Sequence, residues 1–304
     1  GARGGWGEFE KKVERYGKAR ARAEKMAEYL LSITSGKYQG TKLKQCGTWL
    51  RLRHYYTQGD TRVVDANFCH QDRLCPLCAI RRGAKFLKAY VEKFMALDAQ
   101  GVKFLPHMVN HTVKDGEDLK ERVDHLVRGL RAIRQRVKDA QRGKCQTEAS
   151  KALGAVYSIE IKKGEGSHIW HPHAHSIWPC TSLLDVEKLK GEWEEITGDS
   201  HQVYAEPFHC VGSGLPVGFE SLAGDLAEVF KYALKFSSMT LEDQWLAYWI
   251  LKRRRLVASW GILYGVKVPE NLLDDVTESE LPYIEFLLRF VSESGYELEE
   301  YSQS

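Results

Sequence analysis

The segment HIWHPHAHSIW, residues 168–178, carries a histidine at each of positions 171, 173 and 175. Side chains two residues apart in an extended strand point to the same face of the sheet. These three imidazoles would therefore lie side by side, and imidazole nitrogens bind many divalent metal ions. The alternative is a polar strand face whose histidines are satisfied by water or by neighbouring side chains. Three histidines in register favour the metal site.

Alternating strands and helices surround the histidine segment. Extended apolar runs and helically spaced apolar residues predict strands over 102–113, 155–162, 168–178 and 202–209, and helices over 119–133 and 184–196. This β-α-β-β-α-β order is typical of an α+β fold, an antiparallel ferredoxin-like or RRM-like sheet with helices on one face. The histidines fall on the third strand of that sheet.

A further helix is predicted over 221–236, after the last strand of the sheet. Glu228 and Tyr232 are four residues apart, so a carboxylate and a phenol share one helix face, and Lys235 lies one turn beyond Glu228 and Tyr232. Chance Glu–Tyr pairs are common on helix surfaces, so this pattern alone does not indicate catalysis.

Four of the seven cysteines form a cluster in the amino-terminal part of the chain. They are Cys46, Cys69, Cys75 and Cys78. The tight Cys-Pro-Leu-Cys loop allows two thiolates to hold one ion, and the other two cysteines can complete a tetrahedral zinc site. His54 and His70 are alternative ligands, and a redox Cys-x-x-Cys pair or coincidence are the alternative interpretations. We expect a structural Zn²⁺ site.

The third ligand of a metal bound to His173 and His175 has two candidates. Glu160 lies on the preceding strand, which the Gly164–Gly166 turn folds against the histidine strand, and His171 shares the strand face. We expect Glu160 to bind the metal and His171 to lie beside it or to contact a bound substrate. A mixed nitrogen and oxygen site fits Mn²⁺ or Mg²⁺, although imidazoles also accept Zn²⁺ or Co²⁺.

Charge is distributed unevenly along the 304 residues. The net charge is only +3, but residues 1–269 hold 43 basic and 31 acidic residues, and residues 270–304 hold 10 acidic residues and one basic residue. A basic body attracts polyanions such as nucleic acid. The acidic end could fold back, repel DNA or meet a protein partner.

We expect three parts in the chain. They are residues 1–100, a helix and a four-cysteine zinc segment; 101–240, the α+β domain that carries the histidine strand; and 241–304, a helical segment with a basic start and an acidic end. No apolar run approaches the about 20 residues that a membrane helix requires, and we expect no secretion signal. We therefore expect no membrane partner and a cytoplasmic location.

Several sequence blocks together resemble one protein family, the rolling-circle plasmid replication initiators of the HUH (His-hydrophobic-His) endonuclease superfamily, of the single-tyrosine type with an amino-terminal Cys block. The match spans roughly residues 40–265, although Asn110-His111 and Asp115 depart from the usual first motif. The matching blocks, in chain order, are Cys46-Gly47, Phe68-Cys69, Leu74 to Cys78 and Arg81-Arg82 (cysteine block), Thr112-Val113-Lys114 (first strand motif), His171 to His175 (metal motif), Glu228, Lys231, Tyr232 and Lys235 (catalytic helix), and Lys252 to Arg255 before Gly261 (basic segment).

The resemblance implies a metal-dependent DNA nicking and closing enzyme. Tyr232 would attack a DNA phosphate polarised by an ion on His173 and His175, leaving a 5′-phosphotyrosine and a free 3′-hydroxyl. Glu228 would activate water for the terminating cleavage, and Lys235 is a candidate phosphate contact.

The implied partner is bacterial plasmid origin DNA. A host helicase and a DNA polymerase are further candidates, and the oligomeric state is not predicted. Two other interpretations remain at this point. One is an HUH transposase or relaxase, and the other is a non-catalytic, zinc-containing DNA-binding regulator.

Overall fold

The computed structural model describes residues 4–164, 168–208, 226–230, 239–276 and 281–303, together with Gly224. The chain divides into two compact units. Unit 1 combines residues 1–82 with residues 269–304, and unit 2 consists of residues 83–268. This division differs from the three consecutive parts that we expected, because the two ends of the chain belong to the same unit.

Unit 2 contains a five-stranded sheet with the strand order β6-β3-β5-β4-β7, in which every pair is antiparallel. Its elements from residue 105 to 207 follow the predicted β-α-β-β-α-β order, so the α+β class is confirmed. These elements are β3 (Leu105–Thr112), α4 (Leu119–Gln141), β4 (Gly154–Lys163), β5 (Trp170–Cys180), α5 (Val186–Thr197) and β6 (Val203–Pro207). They are followed by α6 (Leu241–Leu251) and by β7 (Val257–Gly261), an edge strand that we had not predicted.

Local sequence explains where the two sheet-covering helices begin. The side chain of Asp118 accepts a hydrogen bond from the Glu121 amide (3.0 Å), and Asp185 does the same for the Lys188 amide (3.2 Å). Each carboxylate therefore satisfies an otherwise unpaired amide of the first turn. α4 buries a stripe of residues at helical spacing: Leu119, Val123, Leu126, Gly129, Leu130, Ile133 and Val137.

The two faces of the unit 2 sheet carry different layers. On one face, His111 packs against Trp178 and against Trp193 of α5, with ring centroids 5.5 and 4.7 Å apart, and Gly129 of α4 also meets Trp193. On the other face, Val156 and Ile177 pack against helix α3 and the segment 226–230. Helices therefore cover both faces, whereas we had expected them on one face only.

Unit 1 is built around a four-stranded antiparallel sheet of order β2-β1-β8-β9. Its elements are α1 (Gly4–Ser32), α2 (Lys37–Gln45), β1 (Trp49–Tyr55), β2 (Asp60–Ala66), the start of α3 (Pro76–Ala99), β8 (Ile284–Val291) and β9 (Gly295–Gln303). β1 pairs with β2, its neighbour in sequence, and with β8, which lies more than 200 residues away.

The carboxyl-terminal segment corrects our expectation of a helical region over 241–304. Only 241–251 is helical among its described residues, and 284–303 forms a β-hairpin in the sheet of unit 1. Its acidic residues form ion pairs inside that unit: Glu285 lies 2.8 Å from Arg53, and Asp274 lies 2.6 Å from Arg81. Part of the acidic charge of this segment is therefore paired with basic side chains inside unit 1.

Candidate metal centre and catalytic face

The register of two strands, β4 and β5, brings Glu160, His173 and His175 together. Glu160 on β4 lies directly opposite His173 on β5, and residues opposite one another in an antiparallel pair share a face. The Nε2 atoms of the two histidines are 2.9 Å apart, and Glu160 Oε2 lies 3.1 Å from His175 Nε2 and 3.6 Å from His173 Nε2. These three residues form a group that could hold a metal ion.

The spacing of these three atoms fits one cation. With ligand distances of about 2.1 Å, two ligand atoms lie about 3.0 Å apart at a right angle and about 3.4 Å apart at a tetrahedral angle. The observed separations of 2.9 to 3.6 Å cover that range. A shared cation would be attracted by the carboxylate oxygen and by a lone pair on each Nε2 atom. Glu160, His173 and His175 therefore suit a divalent ion.

Asn110 on β3 fixes the orientation of His175. It lies opposite His175 in the sheet, and its side-chain oxygen accepts a hydrogen bond from His175 Nδ1 over 3.0 Å. A proton held on Nδ1 leaves the Nε2 lone pair free to bind a metal. We had noted Asn110 only as a departure from the family motif. This contact depends on the pairing of β3 with β5, which we had not predicted.

Burial and hydrogen bonding act in opposite directions on the carboxylate. Burial alone would raise the pKa of Glu160, but its hydrogen bonds with His173 and His175 and the nearby charge of Lys162 lower the pKa of Glu160 well below its usual range. Burial lowers the pKa of His173, and Glu160 offsets part of that effect. Near neutral pH the group therefore presents a charged carboxylate and a neutral His173, which are the forms that bind metals.

His171 is separated from this group although it shares the strand face. Its Nδ1 atom contacts the carboxylate of Asp115, and its ring centroid is 5.2 Å from that of His173. Asp115 was the other departure from the family motif that we had noted. Of the two candidates for the third position, the structure brings Glu160 to the two histidines and His171 to Asp115.

The segment 226–230 packs on the same sheet face as the metal-binding group. Leu226 and Val229 are buried against the sheet, and the backbone oxygen of Val229 accepts a hydrogen bond from the hydroxyl of Ser158. Ser158 lies directly opposite His175 in the β4–β5 pair. Glu228, the residue before Val229, is exposed. Tyr232 and Lys235, like Lys231, lie outside the described residues.

The four predicted zinc ligands converge in unit 1. Cys46 follows α2, Cys69 follows β2, and Cys75 and Cys78 lie at the start of α3. Their sulfurs are 3.5 to 3.6 Å apart in the three closest pairs, and all four ligand atoms lie within 4.8 Å of one another. Sulfurs at 2.3 Å from a tetrahedral zinc are about 3.8 Å apart, so the cluster could hold such an ion after a small expansion.

The chemistry of the sulfur cluster also fits a cation. Hydrogen bonds with Cys46, Cys69 and Cys75, together with burial, raise the pKa of the Cys78 thiol. Four thiolates so close together need a compensating positive charge. His54 and His70 are not in the cluster. His54 instead shares a hydrogen bond with Thr61 (2.8 Å) and packs against Trp6.

Arg81 has a structural role rather than a DNA-facing one. It was part of the cysteine block that resembled the family. The structure buries its side chain, which donates to the hydroxyl of Tyr16 (3.0 Å), to the backbone oxygen of Leu272 (2.8 Å) and to Asp274 (2.6 Å). This residue therefore links the two sequence segments of unit 1.

The chain is similar to curated proteins from bacilli. It is 31% identical over 299 residues to the protein named Protein rep of Bacillus amyloliquefaciens, an alignment that covers 87% of this chain and 84% of that protein. The chain belongs to the Rep protein family. A second Rep, from Bacillus sp, is 31% identical over 143 residues, which cover 45% of this chain and 42% of that protein. No family model matches the Rep chain, and no solved structure matches it.

Membership of this family makes the chain a Rep-type replication protein. The alignment with the first relative covers most of both chains. In the described part of this Rep chain, no helix is both long and apolar enough to span a membrane.

Proposed function

We propose that this Rep protein initiates rolling-circle replication of a bacterial plasmid by nicking single-stranded origin DNA, as a single-tyrosine HUH endonuclease. One observation carries the proposal. The segment with Glu228 packs, through Val229 and Ser158, on the sheet face that presents Glu160, His173 and His175. Tyr232 follows Glu228 by four residues in the sequence. The β-α-β-β-α-β order, with the histidine strand at the centre of the sheet, also supports an HUH fold.

The proposed first step is a transesterification. The phenol oxygen of Tyr232 forms a bond to the scissile phosphorus as the bond from phosphorus to the 3′-oxygen breaks, the phenol loses its proton, and the departing 3′-oxygen gains one. The products are a 5′-phosphotyrosyl link and a free 3′-hydroxyl. Because the phenol has a pKa of about 10, the phosphate must be made electrophilic. A divalent ion such as Mn²⁺ or Mg²⁺, held by Glu160, His173 and His175, supplies that polarisation when bound.

The proposed last step releases the enzyme. In the terminating cleavage, Glu228 accepts a proton from a water molecule whose oxygen bonds to the scissile phosphorus as the bond from phosphorus to the 3′-oxygen breaks and that oxygen gains a proton, so that no second protein–DNA link forms. In strand transfer, the new 3′-hydroxyl loses its proton and bonds to the phosphotyrosyl phosphorus as the bond to Tyr232 breaks and the phenol regains a proton, which joins the strand and frees the enzyme. Lys235 is proposed to contact a phosphate during these steps.

The remaining features are assigned roles within the same proposal. The four-cysteine cluster holds a structural Zn²⁺ that stabilises a DNA-recognition segment in unit 1. The free 3′-hydroxyl is the end that a DNA polymerase extends, and a helicase separates the strands ahead of it. A host polymerase and a host helicase are therefore the proposed protein partners.

A covalent-capture experiment tests the nicking proposal. The full chain is incubated with Mn²⁺ and a pool of labelled single-stranded 40-mers with a randomised centre, and adducts that survive denaturing electrophoresis are sequenced. The wild-type chain should yield an adduct with one preferred junction, and Tyr232→Phe should abolish it. Tyr204→Phe is the matched control, because Tyr204 is an exposed tyrosine of the same unit and should leave the adduct unchanged. If the wild-type chain binds the pool without forming an adduct, the non-catalytic regulator is the better interpretation.

The role of Glu228 is tested separately in a turnover assay. Glu228→Ala should still form the tyrosyl adduct but lose release that depends on water. Unchanged release by this variant would exclude the carboxylate as the base for termination.

A further inference from the structure

The outward side of α4 carries an unusual concentration of positive charge. Between Arg128 and Lys138 the helix contains five basic residues and no acidic residue. Four of the five form what we call the α4 basic face: Arg128, Arg131, Arg134 and Lys138. All four are exposed, and they are spaced three or four residues apart, so they line one side of the helix over about 15 Å.

This face differs from an ordinary solvated helix surface. Within the described part of the chain, none of its four side chains forms an ion pair or a hydrogen bond. On α5, which covers the same side of the sheet, Lys188 and Lys190 each pair with an acidic neighbour, Asp185 (3.6 Å) and Glu187 (2.8 Å). Like charges three or four residues apart destabilise a helix. A bound polyanion would remove that repulsion.

Arg255 extends the basic face beyond the helix. This exposed residue follows α6, and the adjacent Arg254 contacts Asp124 of α4, which holds the segment beside the helix. The charges of Arg131, Arg134 and Arg255 all act on the phenol of Tyr157, where they oppose the rise in its pKa that burial causes. Guanidinium groups from two separate chain segments therefore lie near enough to act on the same side chain.

The basic face lies on the side of the sheet opposite the metal-binding group. Tyr157 alternates along β4 with Ser158, which faces His175, so the two residues point to opposite faces. α4 packs on the Tyr157 side, through Gly129 and Trp193. Because a helix is about 10–12 Å across, the outer side of α4 is roughly 15 Å or more from the metal-binding face. One phosphate cannot contact both surfaces.

The chemistry of the face favours a duplex over a single strand. Surfaces for single strands combine positive charge with exposed aromatic side chains on which bases stack. The residues from Arg128 to Lys138 include no aromatic side chain. A straight row of guanidinium and ammonium groups matches the regularly spaced phosphates of a DNA duplex. Contacts to these phosphates position a protein on the duplex but carry no information about the base sequence.

We propose that the α4 basic face, with Arg255, binds the phosphate backbone of duplex DNA next to the strand that is cut at the metal-binding face. The assignment of DNA as the substrate rests on the proposed function. The surface itself is a second, separate site that anchors a base-paired stem while the single strand occupies the other side of the sheet.

Salt-dependent binding to two DNA probes tests this proposal. A labelled 20-base-pair duplex and a labelled dT 20-mer are titrated with the full chain in EDTA, at several KCl concentrations, by fluorescence anisotropy. The test variant is Arg131→Gln/Arg134→Gln, and the control is Lys188→Gln/Lys190→Gln, which removes the same charge from α5. The slope of the logarithm of the binding constant against the logarithm of the KCl concentration falls in magnitude by about 0.9 for each lost phosphate contact. For the test variant this slope should therefore fall in magnitude by about 1.8, and the duplex should bind at least about tenfold more weakly at 0.1 M salt.

The expected pattern is loss of duplex binding alone. The test variant should bind dT and cleave single strands as the wild-type chain does, the control should match the wild-type chain on both probes, and both variants should unfold at the wild-type temperature or slightly above it. An unchanged salt slope for the duplex in the test variant would overturn the proposal. Equal losses on duplex and dT, or on duplex and an RNA hairpin, would instead indicate a general polyanion surface and would also overturn it.

The two proposals can fail independently. If no tyrosyl adduct forms but Arg131→Gln/Arg134→Gln loses duplex binding, the nicking proposal fails and the α4 basic face stands. If the adduct forms normally and the duplex affinity is unchanged, the nicking proposal stands and the α4 basic face does not bind DNA.

Discussion

Replacing Asn110 with alanine should weaken metal binding without touching any metal ligand. The Asn110 side-chain oxygen lies 3.0 Å from Nδ1 of His175, and this hydrogen bond holds the proton on Nδ1. Without it, His175 can adopt the tautomer that carries the proton on Nε2, the atom that faces Glu160 and His173. That tautomer cannot bind a cation through Nε2.

The expected size of the effect follows from the type of contact that is lost. Removing a group that orients a metal-binding histidine typically costs 10- to 100-fold in affinity, or about 1.4 to 2.7 kcal/mol. Binding is measured by titrating the metal-free histidine site with Mn²⁺ and following the EPR signal of the free ion. Asn110→Asp retains an acceptor at the same place and should bind within a few fold of the wild-type chain.

A second polar contact, to another histidine of β5, provides the control. Asp115→Ala removes the partner of His171, which lies outside the metal-binding group, so the Kd for Mn²⁺ should change by less than about threefold. The reasoning is refuted if Asn110→Ala binds Mn²⁺ as tightly as the wild-type chain while His175→Ala abolishes binding. In that case the hydrogen bond with Asn110 does not control the tautomer in which His175 binds the metal.

Three further predictions concern stability. Gly129→Ala should lower the free energy of unfolding, measured in urea, by about 1 kcal/mol or more, because the added Cβ would lie 2.5 Å from Trp193 and the overpacking outweighs the gain in helix propensity. Gly191→Ala is the control. It has open space around it and should raise the free energy of unfolding by up to about 1 kcal/mol. Burial lowers the pKa of His111 to about 3, against about 6.5 in the unfolded chain, so the unfolded chain binds one more proton between these pH values. The free energy of unfolding should therefore fall by about 2 kcal/mol from pH 6.5 to 5.0. The same dependence of that free energy on pH in His111→Phe would contradict this. Cys78→Ser should reduce zinc content and lower the free energy of unfolding by about 4 kcal/mol, while the exposed Cys145→Ser should do neither; equal zinc content in both variants would reject the four-cysteine site.

Local patterns predicted those parts of the molecule that depend on the periodicity of strands and helices. Because side chains alternate along a strand, the spacing of the histidines was enough to predict that His173 and His175 share a face. The short turn before that strand was enough to predict that Glu160 would face them. The cysteine spacing likewise predicted a cluster, since a tight loop and two nearby segments can meet without long-range information.

Contacts between distant segments were not predictable in this way. The pairing of β1 with β8 joins residues more than 200 positions apart, and neither strand carries a signal for its partner. The burial of Arg81 depends on Asp274, which comes from the same distant segment. The role of Asn110 required the register between β3 and β5, because a shift by one residue would have turned its side chain to the other face.

The composition of unit 1 from both ends of the chain has a consequence for biosynthesis. Residues 83–268 emerge from the ribosome before β8, the second partner strand of β1, exists, so unit 2 can be synthesised in full while one edge of β1 is still unpaired. An open edge is a template for unwanted pairing with other chains. Premature termination before Ile284 would leave that edge exposed permanently, because β8 and β9 would be missing. Truncated products should therefore aggregate through unit 1 even though every residue of the histidine group and of the cysteine cluster has been translated.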